Sequence, residues 1–319
     1  MLGDEMWAVQ YRSYGGPEVL EVGQVVVPQP SSRQVLVEVA AFSLNRSDLM
    51  ARAGKMKGLN GFGFPKGTGV DFSGTVVQAG AGATGVAVGD RVWGYLGMRP
   101  PGPHAAAAQY LTVRADRISV APSRVALEEA AALPLTGLTA IQALRVLRVG
   151  TGRRVLVVGG NGGVGSTAVQ VARALGGQVD AVTGHRCTAA ERAGARHVYD
   201  YHAGGATQIT HRYDAVLVTA GTDLLAYRTL LDRSGRIAAL SPSAIPTIIT
   251  TAFRPGPMIR MVSAQPDADD LAWLAARVDD GAITPIIDTM YPLDRVAQAH
   301  RDAHHRSAAG KRVITVSPR

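Results

Sequence analysis

Val155 to Val158 are four consecutive apolar residues that run directly into a cluster of glycines, and from Thr167 to Leu175 apolar positions recur at helical spacing until Gly176 and Gly177. A continuous apolar run suits a parallel strand buried on both faces, and a glycine pair closes a helix. The same alternation continues along the chain. "VDAVT", "HVYDY", "DAVLVTA", "RIAAL" and "MIRMVSA" read as further strands, separated by helical stretches that end near Gly176, Gly194 and Gly235. Strands alternating with helices over this length predict βαβ units and a parallel sheet from about residue 125 to 265.

The flanks follow another pattern. From about residue 7 to 120 the runs are short and β-like, such as "VLVEVAAFSL", "FSGTVVQAG" and "DRVWGYL", and Gly and Pro punctuate them. This predicts a compact β-rich unit. After the alternating region come an amphipathic helix in "DADDLAWLAARVDDG", a strand in "TPIIDTMYPL", a helix through "RVAQAHRDAHH" and a last strand in "KRVITV". That tail is too short to fold alone, so we expect it to return and complete the first unit.

Length and charge narrow the classes. A chain of 319 residues exceeds one small core, so two domains, or one large one, are expected. No run of eighteen or more apolar residues and no secretory pattern at "MLGDEMWAVQYR" is visible, which predicts a cytoplasmic protein without a membrane span. The formal charge of +8 invites a nucleic-acid reading, yet lysine occurs only at Lys55, Lys57, Lys66 and Lys311, and the arginines are scattered singly. Without clustered cations a nucleic-acid surface is not expected, although attraction of a small anion is compatible with the charge. Cys187 is the only cysteine and has no disulfide partner.

Gly160, Gly162 and Gly165 match G-x-G-x-x-G between a strand and a helix. Glycine lets the backbone turn tightly and approach a pyrophosphate, while the N–H groups and dipole at the helix start attract its charge. Alone the motif is weak; inside a series of βαβ units it predicts a dinucleotide site. Which dinucleotide depends on the tip of the following strand. Asp180 lies at the usual offset for a carboxylate on the ribose, but the strand continues through Thr183 and leaves Asp180 inside it. The tip is "GHRC", where Gly184 allows close approach and Arg186 offers a fork of donors to a 2′-phosphate. The expected cofactor is NADPH.

"VAAFSLNRSDLMARAG", "GTGVDFSGTVV", "VGDRVWGY", "LPLTGLTAIQAL", "GGNGGVGS" and "GKRVITV" occur in this order over nearly the whole chain. The ordered set resembles the medium-chain dehydrogenase/reductase superfamily, and within it the zinc-independent quinone oxidoreductase and enoyl reductase branch. The resemblance implies an α/β fold, with a GroES-like β-rich catalytic domain (1–124 and 266–319) and a Rossmann doubly wound parallel-sheet nucleotide-binding domain (125–265). It further implies an active site in the cleft between them and a homodimer built through the nucleotide domains.

Zinc alcohol dehydrogenases of the superfamily carry Cys where this chain has Asn45, and His-Glu where it has Val70-Asp71, so no catalytic metal is expected. His300, His304 and His305 are the one competing cluster. Without a matching carboxylate or cysteine nearby in sequence, we read them as part of a solvated terminal helix. No Tyr-x-x-x-Lys pair occurs. Reduction of a simple ketone concentrates charge on one oxygen and needs a strong electrophile. Hydride addition to an enone or quinone spreads that charge, so a zinc-free site predicts such acceptors, with enoyl reduction ahead of quinone reduction.

From the resemblance, Asn45 stands beside the nicotinamide and the substrate carbonyl as the candidate catalytic residue, and Asp48 buttresses its loop. Thr139, Gly162, Gly163, Val164, Gly184, Arg186, Tyr201, Ala220, Gly221, Leu240, Ser241 and Arg306 are the cofactor candidates. Met50, Phe62, Phe64 and Trp93, with Tyr95 beside the last, are candidates for an apolar pocket that takes a small hydrophobic enone, acyl or quinone substrate. A tyrosine that donates a proton in relatives is replaced by Met50, and no general acid is legible. Two other classes therefore stay open: an NADPH-binding redox sensor, and a non-redox biosynthetic enzyme on the same fold.

Overall fold

The structure, a computed structural model, describes residues 3–61, 63–98, 105–184, 187–220, 224–251, 256–305 and 308–316. Its centre is a six-stranded parallel sheet. In spatial order the strands are Val198–Asp200, Gln178–Thr183, Arg154–Val158, Tyr213–Val218, Leu231–Ala239 and Ile259–Met261. Counted along the chain this order is third, second, first, fourth, fifth and sixth, the doubly wound arrangement whose direction switches beside the first strand. Val155, Leu156 and Val157 are wholly buried in that strand, as its unbroken apolar run predicts.

The helix after the glycine turn spans Gly163–Ala174 and so begins four residues earlier than the apolar spacing predicts. Gly176 and Gly194 take positive φ of 85° just beyond their helices, in the role expected of them. Gly235 does not end a helix. It lies inside the strand Leu231–Ala239, and the preceding helix stops at Arg228.

A seven-stranded sheet forms the second unit. Its path runs Ile287–Pro292, Lys311–Thr315, Gln34–Ser43, Asp71–Ala79, Arg91–Tyr95 and Ile118–Val120, with Tyr110–Arg114 paired to Gln34–Ser43. Two strands from the tail are thus built into a sheet made otherwise from the front of the chain. Val313 pairs Ser43 in antiparallel register, which puts Lys311 and Arg312 beside Leu44 and Asn45. A small third sheet joins Glu21–Val26, Glu5–Tyr11 and Lys66–Gly67.

One core joins the two large sheets. The helix Pro134–Val146 contributes Leu138, Ile141 and Leu144, which pack between Trp93 and Tyr95 of the front sheet and Val155 and Val157 of the central one. Each large apolar side chain buried there stabilises the fold by about 1.5–3 kcal/mol. Gly137 permits this packing, because a Cβ on it would lie 2.1 Å from Leu274 Cδ2.

Candidate active site

Each glycine of the turn meets different surroundings. The N–H groups of Gly159 and Gly160 both donate to Val182 O, at 2.9 and 3.0 Å, and tie the turn to the neighbouring strand. A Cβ on Gly165 would lie 2.0 Å from Gly159 O, and one on Gly160 would lie 2.7 Å from Ala181 Cβ. A Cβ on Gly162 would meet nothing nearer than Gly159 O at 3.6 Å. Gly160 and Gly165 are therefore demanded by packing, whereas Gly162 faces open space. Among the described residues no side chain caps the helix that starts there, so the N–H groups of its first turn are left for an anion. The Asn161 Oδ1 accepts from Ala189 N at 2.8 Å and anchors the helix behind the next strand's tip.

That tip holds Thr183 and Gly184, with the Tyr201 ring against it. A Cβ on Gly184 would lie 3.1 Å from Tyr201 Cε1. Asp180 is turned elsewhere, as its place inside the strand predicts. It accepts from Tyr213 Oη at 2.8 Å and meets His197 Nδ1 and His211 Nε2, each at 3.1 Å. Burial disfavours its charge, but these three partners outweigh burial and hold the carboxyl below its usual range.

Opposite the glycine turn stands a buried polar network. Asp48 accepts from Asn45 N at 2.8 Å and from Gly69 N at 3.2 Å, and so braces the loop at the start of the helix Arg46–Arg52. The Asn45 amide Nδ2 donates to Asp71 Oδ1 and to Ser43 O, both at 3.0 Å. Its Oδ1 accepts from Lys311 Nζ at 2.6 Å, and the same ammonium donates to Leu44 O at 2.9 Å. Ser43 Oγ donates to the other Asp71 oxygen at 2.6 Å. Burial, reinforced by Asp71, pushes Asp48 up to about 7. Burial also raises Asp71 and lowers Lys311, while their mutual attraction opposes both shifts.

A cleft of about 1050 Å³ connects the two features. It is lined by Asn45 and Met50 on one side, by Gly162, Gly163, Val164, Gly184, Tyr201 and Ala220 on the other, and by Gly310 and Lys311 from the tail. Arg46, Arg52, Lys55, Lys311 and Arg312 also line it, and among the described residues its lining holds no carboxylate. Lys311 was missed as a site residue because, although it lies in the stretch "GKRVITV", nothing local in that stretch shows that its side chain reaches the cleft.

Other candidates stand elsewhere. Trp93 and Tyr95 are 0 % and 1 % exposed within the apolar core, so they build the wall behind the site and do not line a pocket. Phe64 packs against the Tyr11 and Tyr14 rings, with centroids 6.1 and 5.0 Å away, and does not line the cleft. Thr139 donates to Leu135 O at 2.6 Å along its own helix, and Thr136, one turn earlier, reaches the cleft instead. Leu240 packs on the core and Ser241 bonds Ser243, and neither lines the cleft. His300 is fully buried on the inner face of its helix, which corrects the solvated reading, whereas His304 and His305 line the cleft mouth. Phe62, Arg186, Gly221 and Arg306 lie outside the described residues.

A doubly wound sheet with an open glycine cradle, facing a polar network across one cleft, defines a dinucleotide-dependent enzyme of two units. Residues 31–123 match the family model described as the alcohol dehydrogenase GroES-like domain, and residues 193–314 match that described as zinc-binding dehydrogenase. The chain is 32 % identical to a chloroplast envelope quinone oxidoreductase homolog of Arabidopsis thaliana, over 98 % of this chain and 99 % of that one. It is 29 % identical to a chloroplastic NADPH-dependent alkenal/one oxidoreductase of the same plant, over 98 % and 80 %. The solved quinone oxidoreductase from Coxiella burnetii superimposes with a TM-score of 0.89 at 29 % identity, covering 98 % of this chain and all of that one.

The chain belongs to the medium-chain dehydrogenase/reductase superfamily, in its quinone oxidoreductase and enone reductase branch. It is an oxidoreductase that works with a nicotinamide cofactor. The zinc in one family description does not fit the residues here. Asn45 spends its amide on Lys311 and Asp71, Val70 offers no ligand atom, and a buried ammonium lies within hydrogen-bond distance of Asn45.

Proposed function

We propose that the protein is an NADPH-dependent reductase that adds hydride to the activated C=C of a small α,β-unsaturated carbonyl compound. The observation that carries this reading is the cleft joining the glycine cradle to a buried polar network in which the Lys311 ammonium stands beside Asn45. A reduced nicotinamide held there supplies a hydride. Gly162 leaves room for the pyrophosphate, and the first turn of the helix Gly163–Ala174 offers it unpaired N–H groups. Gly184 and Tyr201 border the adenosine end, where Arg186 is assigned to the 2′-phosphate. The cationic lining favours the more highly charged NADPH over NADH. Asn45, Gly163, Val164 and Ala220 are assigned to the remainder of the dinucleotide, and Met50 to the substrate.

Conjugate reduction suits these residues because it leaves a delocalised enolate, which hydrogen-bond donors stabilise without a metal. The relatives' names agree with enone reduction and equally with quinone reduction, where charge is likewise spread. A quinone is thus the second acceptor. We assign the catalytic unit to residues 1–124 and 266–319 and the nucleotide unit to 125–265.

We also propose a homodimer formed along Ile259–Met261, the outer strand of the central sheet, where Ile249, Met258 and Met261 are exposed. A cytoplasmic location accompanies this reading: no described helix is long and apolar enough to cross a membrane, and Cys187 is a free thiol.

The test is NADPH oxidation with a hydrophobic enone, its saturated ketone and a quinone in parallel, with NADH controls. Turnover of the enone or quinone but not the ketone, with NADPH preferred, supports the proposal. Ketone reduction contradicts it. Tight NADPH binding with no consumption on the whole panel moves the function to redox sensing or a non-redox step.

A further inference from the structure

The Asn45 amide has both of its donors engaged. Both hydrogens of its Nδ2 are used, toward Asp71 Oδ1 and Ser43 O, and its Oδ1 holds Lys311 Nζ. The residue that sequence reasoning places against the substrate carbonyl therefore has no donor left for it. Lys311 differs. An ammonium has three N–H bonds, and among the described residues two are taken, by Leu44 O and Asn45 Oδ1. Lys311 is 6 % exposed and lines the cleft. Its stem crosses the start of the helix Gly163–Ala174, since a Cβ on Gly163 would lie 2.4 Å from Lys311 Cδ. The ammonium is thus anchored between the glycine turn and the catalytic loop with one donor unspent.

We propose that Lys311 is the electrophile and proton donor of this site, with Asn45 and Asp71 as the positioning residues that aim it. The assignment rests on the reductase reading above. As hydride reaches the β-carbon, the C=C electron pair moves to join the α-carbon to the carbonyl carbon, and the carbonyl π pair moves to oxygen. The third N–H of Lys311 bonds that oxygen and passes its proton to it, which leaves an enol and a neutral amine. Water in the cleft returns a proton to the amine. The enol then takes a proton from water at the α-carbon and releases the one on oxygen, giving the saturated ketone; two electrons have moved from the reduced nicotinamide to the substrate.

The surroundings suit this role. Asp71 and Asp48 are the charged groups facing the ammonium, and Asp71 reaches it through the Asn45 amide, polarising the chain of bonds in one direction. Burial makes the ammonium a stronger acid than an exposed lysine. A fixed donor at a developing oxyanion accounts for about a hundred- to a thousandfold in rate when measured by removal.

The experiment compares the wild type with Lys311→Met, and with Lys311→Met combined with Asp71→Asn, which removes together with the ammonium the buried carboxylate linked to it through Asn45. The first readout is 4-nitrophenol binding to the NADP⁺-loaded protein, because its phenolate mimics the enolate oxygen and is seen by absorbance. The second is the rate and pH profile of enone reduction. We expect wild type to bind phenolate in preference to phenol and both variants to lose that preference, with NADP⁺ affinity and melting cooperativity retained. The reduction rate should fall about a hundredfold or more, and wild type should lose rate at high pH where the variants do not.

Folded variants that keep the phenolate preference, or keep the wild-type rate and pH profile, overturn the assignment. A wild type that binds phenolate through Lys311 yet reduces no enone or quinone removes the reductase reading and leaves Lys311 as the cleft's anion-holding donor. The two claims therefore fail separately.

Discussion

The backbone N–H of Gly310 donates to Asn161 O at 2.9 Å, so the last strand of the chain is fastened to the glycine turn of the central sheet. Gly310 has a positive φ of 107°, and a Cβ there would lie 2.2 Å from Ile286 O. Only glycine makes this crossing. Lys311 follows immediately, so this bond holds the residue that reaches Asn45 beside the nucleotide cradle.

The glycines of the turn separate by substitution. Gly162→Ala fits the backbone, with φ at −76°, and meets open space, so its melting temperature should stay near wild type. Its methyl group occupies the cradle, and NADPH affinity should drop about tenfold or more, for a cost of about 1.4 kcal/mol. Gly165→Ala instead collides with Gly159 O and should destabilise the fold by about 1–3 kcal/mol. Thermal melts beside fluorescence titration of NADPH distinguish the two. Equal loss of stability in both variants would mean that Gly162 is only a packing residue.

Cofactor choice is expected to rest on Arg186 and not on Asp180. Arg186→Ala should weaken NADPH about ten- to a hundredfold and leave NADH nearly unchanged, since a charge-assisted bond contributes roughly 1.5–3 kcal/mol. Asp180→Asn should leave the NADPH-to-NADH ratio unaltered and lower stability, because Tyr213, His197 and His211 all bond that carboxylate. The depressed Asp180 pKa means its contribution is present above the ordinary carboxylate range and is lost as the pH falls through the folded value. A changed cofactor ratio in Asp180→Asn would return that carboxylate to the ribose.

His300 gives a pH signature. Burial, with Arg52 nearby, pushes its pKa from 6.5 down to about 3, and neither ring nitrogen has a hydrogen-bond partner among the described residues. Between those pH values the unfolded chain binds the proton and the native protein does not. Stability is thus intact above about pH 6.5 and declines toward pH 3 by up to about 1.4 kcal/mol per pH unit from this group alone. His300→Leu removes the titration at little cost in volume. The difference in unfolding free energy between wild type and His300→Leu should shift toward the variant as the pH drops from 6.5. A difference that stays constant with pH contradicts the assignment.

Much of the fold was legible because its signals are local. The run Val155–Val158, the glycine turn and the helix-ending Gly176 and Gly194 are each decided within a few residues, and the structure has them where the pattern puts them. Gly235 misled because glycine also occurs inside a bulged strand, which a short window cannot tell from a helix end. Trp93 and Tyr95 share a face of their strand, and strand alternation identifies that face without saying whether cleft or core lies beyond it. Lys311 was illegible for another reason. Its partner Asn45 is 266 positions away, and only the antiparallel register of the tail strand against Gln34–Ser43 brings them together.

The central claim is conjugate hydride delivery, and the position of the transferred hydrogen tests it most directly. The purified protein would be given an enone with NADPH deuterated at the nicotinamide C4, and the product analysed by NMR and mass spectrometry. Deuterium on the β-carbon of a saturated ketone is the predicted result. Deuterium on a carbinol carbon, with the C=C bond intact, would mean direct carbonyl reduction and would contradict the account.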